Sequence, residues 1–226
     1  MTAKTSSKSQ PQPKSRTWLW VTGGIVGLGL IVLLAYAISG EEQVDASIGF
    51  GEVTVEGDNL PAIQNPNTGD PTIGFVAPTI SGSDWNGNDF TIGADGRSKI
   101  VVLLAHWCPH CQADVPVIQN WIDKGGLPED VDLYGVTVLS NSLRPEFPPQ
   151  DWLESEGWTS PTIMDNQDGD VALAYGLSGT PYYIILDGQN RNLGRVSGQV
   201  GEAGLNAMVA IAQAGLSTSP TTAPAP

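Results

Sequence analysis

Residues 99–105 read Lys-Ile-Val-Val-Leu-Leu-Ala, apolar at every position after the first. A run with no polar alternation has no solvent face, so it suits a strand buried on both sides of a sheet. It leads directly into His106-Trp107-Cys108-Pro109-His110-Cys111. Beyond that, Val115, Ile118 and Ile122 recur at helical spacing, as do Val117 and Trp121. Gly125-Gly126 stops this helix after Lys124, and Pro116 predicts a kink within it. A strand covered on both faces that feeds a helix needs layers on both sides, which restricts the fold to the α/β class.

The remaining elements agree. Val131–Leu139 alternates like a second strand, and residues 151–156 predict a short helix. Asp170 opens a further helix that Gly176 ends. Tyr182–Leu186 is a third strand, Asp187-Gly188-Gln189-Asn190 a hairpin turn, and 192–196 its antiparallel return. A final helix covers 202–213. Parallel crossovers early and an antiparallel pair late predict a mixed sheet flanked by helices. Residues 79–80 and 90–92 predict an extra N-terminal β-hairpin before the central strand. A short alternating piece, residues 50–55, is a candidate edge strand.

The termini read differently. Residues 1–17 carry Lys4, Lys8, Lys14 and Arg16 and no acid, while the whole chain has a net charge of −14. Between the basic tail and the acidic bulk, Trp18 to Ile38 holds no charge at all. At ~1.5 Å per residue, a helix of that length matches the ~30 Å hydrocarbon core of a bilayer. The expected organisation is a cytoplasmic basic tail (1–17), one transmembrane helix (18–38), an extracytoplasmic linker (39–68), a folded domain (69–215) and a disordered Ser/Thr/Pro/Ala tail (216–226). Ala35-Tyr36-Ala37 also fits a signal-peptide cleavage site, but the apolar run is long for a signal core, which favours an uncleaved anchor. No cysteine follows the run, so a lipoprotein anchor is excluded. Gly23 and Gly27 form a GxxxG pair, read as ordinary glycine use in a membrane helix. The acidic balance argues against nucleic acid as a partner.

The chain has only two cysteines and two histidines, and all four fall between 106 and 111. A Cys-x-x-Cys at a strand-to-helix junction favours redox chemistry, because the amides and dipole at a helix N-terminus stabilise a thiolate. Cys108 is expected to be the exposed, low-pKa thiol. Cys111, one turn on, is expected to be the shielded resolving thiol. Pro109 suits the first helical position, where its missing N–H costs nothing. A structural disulfide would close too small a loop to restrain the unfolded chain much. The other alternative is a thiolate–imidazole site for Cu(I), but so tight a run cannot easily build a tetrahedral site. The reading therefore assigns no metal and no cofactor.

Trp-Cys-Pro-His-Cys after an apolar strand resembles the active site of the thioredoxin superfamily. Pro116 in the following helix, Gly179-Thr180-Pro181 before a strand, and Asp187-Gly188 opening a hairpin add to the resemblance, which covers about residues 69–215. The spacing from the cysteines to Pro181, with the anchor, is most similar to the TlpA/ResA-type envelope thiol-disulfide oxidoreductases. The resemblance implies a thioredoxin-like fold, Cys108 as nucleophile, Cys111 as resolving thiol and Pro181 as a cis-proline. Thr180 then presents its backbone to an incoming peptide, with Trp107 part of the docking surface. It implies protein thiols or disulfides as substrates and a membrane redox partner for regeneration. One departure is evident. The buried acid that many such proteins carry six residues before the first cysteine is replaced by Val102, and no acid occurs from Lys99 through Ala113. Proton transfer then falls to water, His106 or a carboxylate from another strand.

The Pro109-His110 dipeptide matches the strongly oxidising DsbA-type enzymes. A histidine there is expected to hydrogen-bond the Cys108 thiolate, stabilise the reduced form and make the disulfide an oxidant. About 150 mV separates DsbA-like from thioredoxin-like behaviour. The TlpA/ResA resemblance implies the opposite direction, a reductase serving cytochrome or oxidase assembly, and the same Cys/His cluster would suit a copper-handling assembly protein. The dipeptide acts directly on the sulfur, so oxidation is the direction adopted. The acids of residues 165–170 miss the calcium-loop spacing and read as turn and capping residues. Trp85, Trp121, Trp152 and Trp158 read as packing residues.

Overall fold

The computed structural model describes residues 46–63 and 69–218. The expected basic tail and transmembrane helix lie outside these residues, as does most of the C-terminal tail. Among the described residues no helix is long and apolar enough to cross a membrane.

Two sheets form the fold. The larger has five strands in the order β6-β5-β4-β7-β8. Here β4 is Ser98–Leu104, β5 Val131–Thr137, β6 Thr162–Met164, β7 Tyr182–Leu186 and β8 Asn192–Ser197. The β4–β5 and β5–β6 pairs are parallel, while β4–β7 and β7–β8 are antiparallel, so the expected mixed sheet is present. The smaller sheet is antiparallel, with strands β1 (Val53–Glu56), β2 (Thr79–Ser83) and β3 (Asp89–Ile92) in sequence order. The β2–β3 hairpin is the expected extension. The helices are α1 (Pro109–Asp123), α2 (Pro149–Ser155), α3 (Asp170–Ala174) and α4 (Gly201–Thr218).

All seven residues of β4 are buried. Because alternate side chains leave opposite faces, the strand feeds two cores. Ile100, Val102 and Leu104 pack with Val115 and Ile118 of α1 and Leu205 and Met208 of α4. Val101 and Leu103 pack with Val171 of α3, with Tyr175 just beyond it, and with Ile80 and Ile92 of the small sheet. Each such aliphatic side chain contributes about 1.5–3 kcal/mol on burial.

The structure moves one expected boundary. Residues 39–68 were read as a linker, yet within them β1 pairs with β2 from Val53↔Gly82 to Glu56↔Thr79. Leu60 is also buried, and its N–H donates to Ala174 O at 2.8 Å. The candidate edge strand in residues 50–55 is realised as β1, at the edge of the small sheet and paired with residues over 20 positions away. A buried ion pair secures the same region: Arg195 Nε and Nη2 each lie 2.7 Å from a carboxylate oxygen of Asp70. Burial pushes the Asp70 carboxyl upward, but Arg195 and hydrogen bonds from Thr72 and Asn192 hold it well below the usual carboxylate range. The missed strand is β6, three residues long and too short to carry a periodic signal.

Candidate active site

The reactive segment sits where β4 ends and α1 begins. Cys108 is the N-cap of α1, with φ −82° and ψ 117°, and Pro109 follows at the first helical position. The Cys108 N–H donates to Ala105 O at 2.9 Å, and its own carbonyl accepts from Gln112 N–H at 3.0 Å. Its side chain meets the β7 entry loop: Sγ lies 3.4 Å from Thr180 O. The Thr180–Pro181 peptide is cis. Cys108, Cys111, Thr180 and Pro181, distant in sequence, are thus brought together.

Two expectations at this site are corrected. Cys108 is not exposed: it retains 7 % of its accessible surface, and Cys111 retains 0 %. The chain folds the cis-proline loop against the first sulfur. His110 does not turn its imidazole to Cys108. Its Nδ1 lies 3.0 Å from Gln199 Oε1, in the loop between β8 and α4. It is the His110 backbone that contributes to the sulfur.

The two thiols are driven apart electrostatically. Burial raises the Cys108 thiol, but side-chain hydrogen bonding with Thr180 and backbone hydrogen bonds from Cys111 and His110 outweigh it, so it ionises below the ordinary range. Burial, with the neighbouring Cys108 charge, pushes Cys111 up to about 12. Amides at a helix N-terminus favour the anion on the outer sulfur, while the apolar interior disfavours it on the inner one.

The acid that β4 lacks comes from α1. Asp114, one residue beyond the stretch that contains no acid, is 2 % exposed and accepts a hydrogen bond from the Tyr183 hydroxyl. Tyr183 is the β7 partner of Val102, the strand position where an acid was expected. Burial first, then the Asp114 contact and the charge of Cys111, raise the Tyr183 hydroxyl far above its ordinary range. Asp114 and Cys111 stand three apart on one helix, a spacing that puts them on one face. That i, i+3 relation was legible in the sequence, whereas the pairing with Tyr183 needed the sheet register.

His106 faces away from the sulfurs. It is 1 % exposed; Nδ1 lies 2.7 Å from Pro145 O, and Nε2 accepts from Asn141 N–H at 3.1 Å. Both ring nitrogens are engaged, so a metal on either one would displace a backbone contact. Trp107 Nε1–H donates to Leu139 O at 2.8 Å, and the Arg144 guanidinium lies 5.3 Å from the Trp107 ring centroid. A cavity of about 600 Å³ is lined by residues that include Leu139, Leu173 and Gly179, the residue before Thr180. A second, of about 400 Å³, shares Leu139 and is lined by Trp107 and Arg144. The acidic 165–170 loop serves α3: Asp165 accepts from Val171 N–H at 2.9 Å and Ala172 N–H at 3.1 Å.

Comparison with known proteins agrees with this arrangement. The Redoxin family model matches residues 56–199. A sporulation thiol-disulfide oxidoreductase A of Bacillus subtilis is 25 % identical over 113 residues, covering 50 % of this chain and 64 % of that protein. A thiol:disulfide interchange protein DsbE homolog of Paracoccus denitrificans is 29 % identical over 100 residues, covering 44 % and 50 %. The chain therefore spans between half and two thirds of the length of these relatives. Among solved structures, StoA from Bacillus subtilis superposes with a TM-score of 0.50 at 19 % identity, covering 62 % of this chain and 99 % of that one. A putative thiol:disulfide interchange protein DsbE from Chlorobium tepidum gives 0.52 at 18 %, covering 64 % and 97 %. Those likenesses establish the thioredoxin fold. With a family model spanning most of the folded residues and relatives that carry out thiol-disulfide exchange by name, the chain belongs to the Redoxin family, within the thioredoxin superfamily.

Proposed function

We propose that this protein is an extracytoplasmic thiol-disulfide oxidoreductase that exchanges disulfides with protein clients and works in the oxidising direction. The observation that carries this reading is the opposed ionisation of the two thiols, Cys108 lowered and Cys111 raised to about 12, at the N-terminus of one helix. The pair stores two electrons with one sulfur ready to attack or leave and the other protected.

In the oxidising cycle a client thiolate attacks Sγ of Cys108 in the Cys108–Cys111 disulfide. The S–S bond breaks, and Cys111 leaves with the electron pair and takes a proton. A group with so high a pKa cannot remain an anion in an apolar interior, so protonation accompanies departure. The proton comes from solvent water, because the Tyr183 hydroxyl, raised far above its ordinary range, is too weak an acid to supply it. The Asp114–Tyr183 pair lies close to Cys111 and gives this interior the polar group that a strand acid at position 102 would have supplied. The client's second thiolate then attacks its own sulfur in the mixed disulfide and expels Cys108 as a stabilised thiolate. The client has lost two electrons and the enzyme has gained them. Thr180, before the cis-proline, offers the backbone against which an extended client segment pairs, and Trp107 and the Leu139-lined cavity receive the residues flanking its cysteine. Regeneration falls to a membrane redox partner, with residues 18–38 as the anchor and residues 1–17 cytoplasmic.

The oxidising direction rests on thiolate stabilisation by the His110 and Cys111 backbone and by Thr180, and no longer on the imidazole of His110. The test is the equilibrium of the Cys108/Cys111 pair against glutathione. The expected potential lies nearer ~ −120 mV than ~ −270 mV. A value at the lower end would establish the reductase direction and leave the exchange chemistry standing.

A further inference from the structure

His106 spends both ring nitrogens on one segment. Residues 139–147 follow β5, run against His106 and Trp107 and lead into α2. The imidazole holds them at Pro145 O and Asn141 N–H. Nδ1 faces a carbonyl and must donate; Nε2 faces an N–H and must accept. The ring is therefore neutral, with its proton on Nδ1. The edge of the same ring meets Phe147, centroids 5.7 Å apart. On the other side, the His106 carbonyl accepts from Gln112 Nε2 at 2.7 Å, which fixes the residue to α1. Trp107 adds a third tie at Leu139 O.

What is held this way is not core. Leu143 is 92 % exposed and Leu139 47 %. Leu139 has φ 55° and Glu146 φ 59°, left-handed conformations that non-glycine residues adopt only when their surroundings hold them there. Leu139 lines two cavities, one shared with Gly179 before the cis-proline loop and one with Trp107. This segment has left-handed backbone and exposed leucines, is fixed by a buried side chain, and packs on Trp107, the residue before Cys108.

We infer that His106 is a positioning residue: it sets segment 139–147 as one wall of the client cleft, so that the protein's preference for polypeptide thiols over small ones depends on this imidazole. This rests on the thiol-exchange reading above. The occupant is an extended peptide with an apolar residue beside its cysteine, which reaches Leu139 and Leu143 while its sulfur reaches Cys108. Glutathione, with one cysteine between two small polar residues, reaches the sulfur without touching the wall.

The test compares wild type with His106→Phe, which keeps an aromatic ring, slightly larger, and loses both hydrogen bonds, and His106→Gln, whose amide can both donate and accept. Each is assayed with a leucine-flanked cysteine peptide and with glutathione, and the potential of the Cys pair is measured. In His106→Phe, KM for the peptide is expected to rise about tenfold with kcat nearly unchanged, as for lost ground-state contacts. Selectivity for peptide over glutathione falls with it, and the potential stays at its wild-type value. His106→Gln recovers most of the selectivity. Leu143→Ser, at a site too exposed to disturb folding, is expected to raise the same KM about threefold, and it decides the question if His106→Phe does not fold. Unchanged peptide KM in these variants, or a shifted potential in His106→Phe, overturns the inference while the exchange activity stands. A wild type inactive towards both thiols overturns the function and this inference together.

Discussion

Single residues divide the chemistry of this site unequally. Cys108 has its anion favoured, so its ultraviolet thiolate absorbance is expected to titrate below the ordinary cysteine value of ~8.5. Cys111 is expected to show no thiolate below about 11. In Cys111→Ser, a client cysteine is expected to stay trapped on Cys108, visible as a covalent adduct by mass. In Cys108→Ser, exchange is expected to fall by at least ~10³-fold, since no activated sulfur remains. His106 gives a stability signature. Burial lowers its pKa in the fold against an opposing pull from Pro145 O and the charge of Glu146. The unfolded chain then binds the proton more readily. The contribution is complete above the unfolded value of ~6.5 and is lost as pH falls through the lower folded value. The gap between the denaturant midpoints of wild type and His106→Gln is expected to narrow on acidification below pH ~6.5, the wild type losing more.

Elements carry the second lesson. The short helix α3 has no side chain capping at its Gly169 N-cap, and its first amides are instead met by Asp165, five residues before the helix begins. Asp165→Ala is expected to cost about 1–3 kcal/mol, because two buried N–H groups lose their acceptor, and denaturant unfolding would measure it. The sequence reading took the acids of 165–170 together as turn and capping residues and gave the helix start to Asp170; that Asp165 is the one reaching across the turn to these amides needed the structure. Strongly periodic or wholly apolar elements were legible: β4, α1, β7 and the hairpin into β8 lie where their residue patterns put them. The alternating piece at 50–55 marked β1 as a candidate edge strand, whereas β6 was hidden because so short a strand takes its identity from its partner. The site followed the same rule. Cys108, Cys111 and the cis-proline loop were readable from motif and spacing. The His110–Gln199 contact, the Asp114–Tyr183 pair and the His106 ties were not, because each joins residues whose proximity depends on sheet register or loop path. His110 illustrates the difference: adjacency to Cys108 in sequence suggested contact, yet the helical turn carries its ring to the β8–α4 loop.

At the scale of the molecule, the Asp70–Arg195 pair ties the segment between β1 and β2 of the small sheet to the edge of the large one. Both side chains are buried, at 0 % and 6 % exposure, and Arg195 Nη1 also donates to Pro61 O and Tyr175 O. Removing one partner leaves the other charge stranded, so Asp70→Asn is expected to cost about 3–5 kcal/mol in denaturant unfolding. The pair also sets part of the acid limit. Its stabilisation is present above the unfolded carboxylate value near 3.8 and declines as pH drops from there towards the much lower folded value. Strand β4 reaches further still. One ribbon of seven residues supplies the interior of both halves, so neither half has an independent reason to persist when the other melts. Heating should give a single calorimetric peak, and the backbone amides of β4 should exchange with deuterium only through whole-chain opening. A packing defect on the far side, among Ile80 and Ile92, would loosen the anchorage of the redox centre without coming near it.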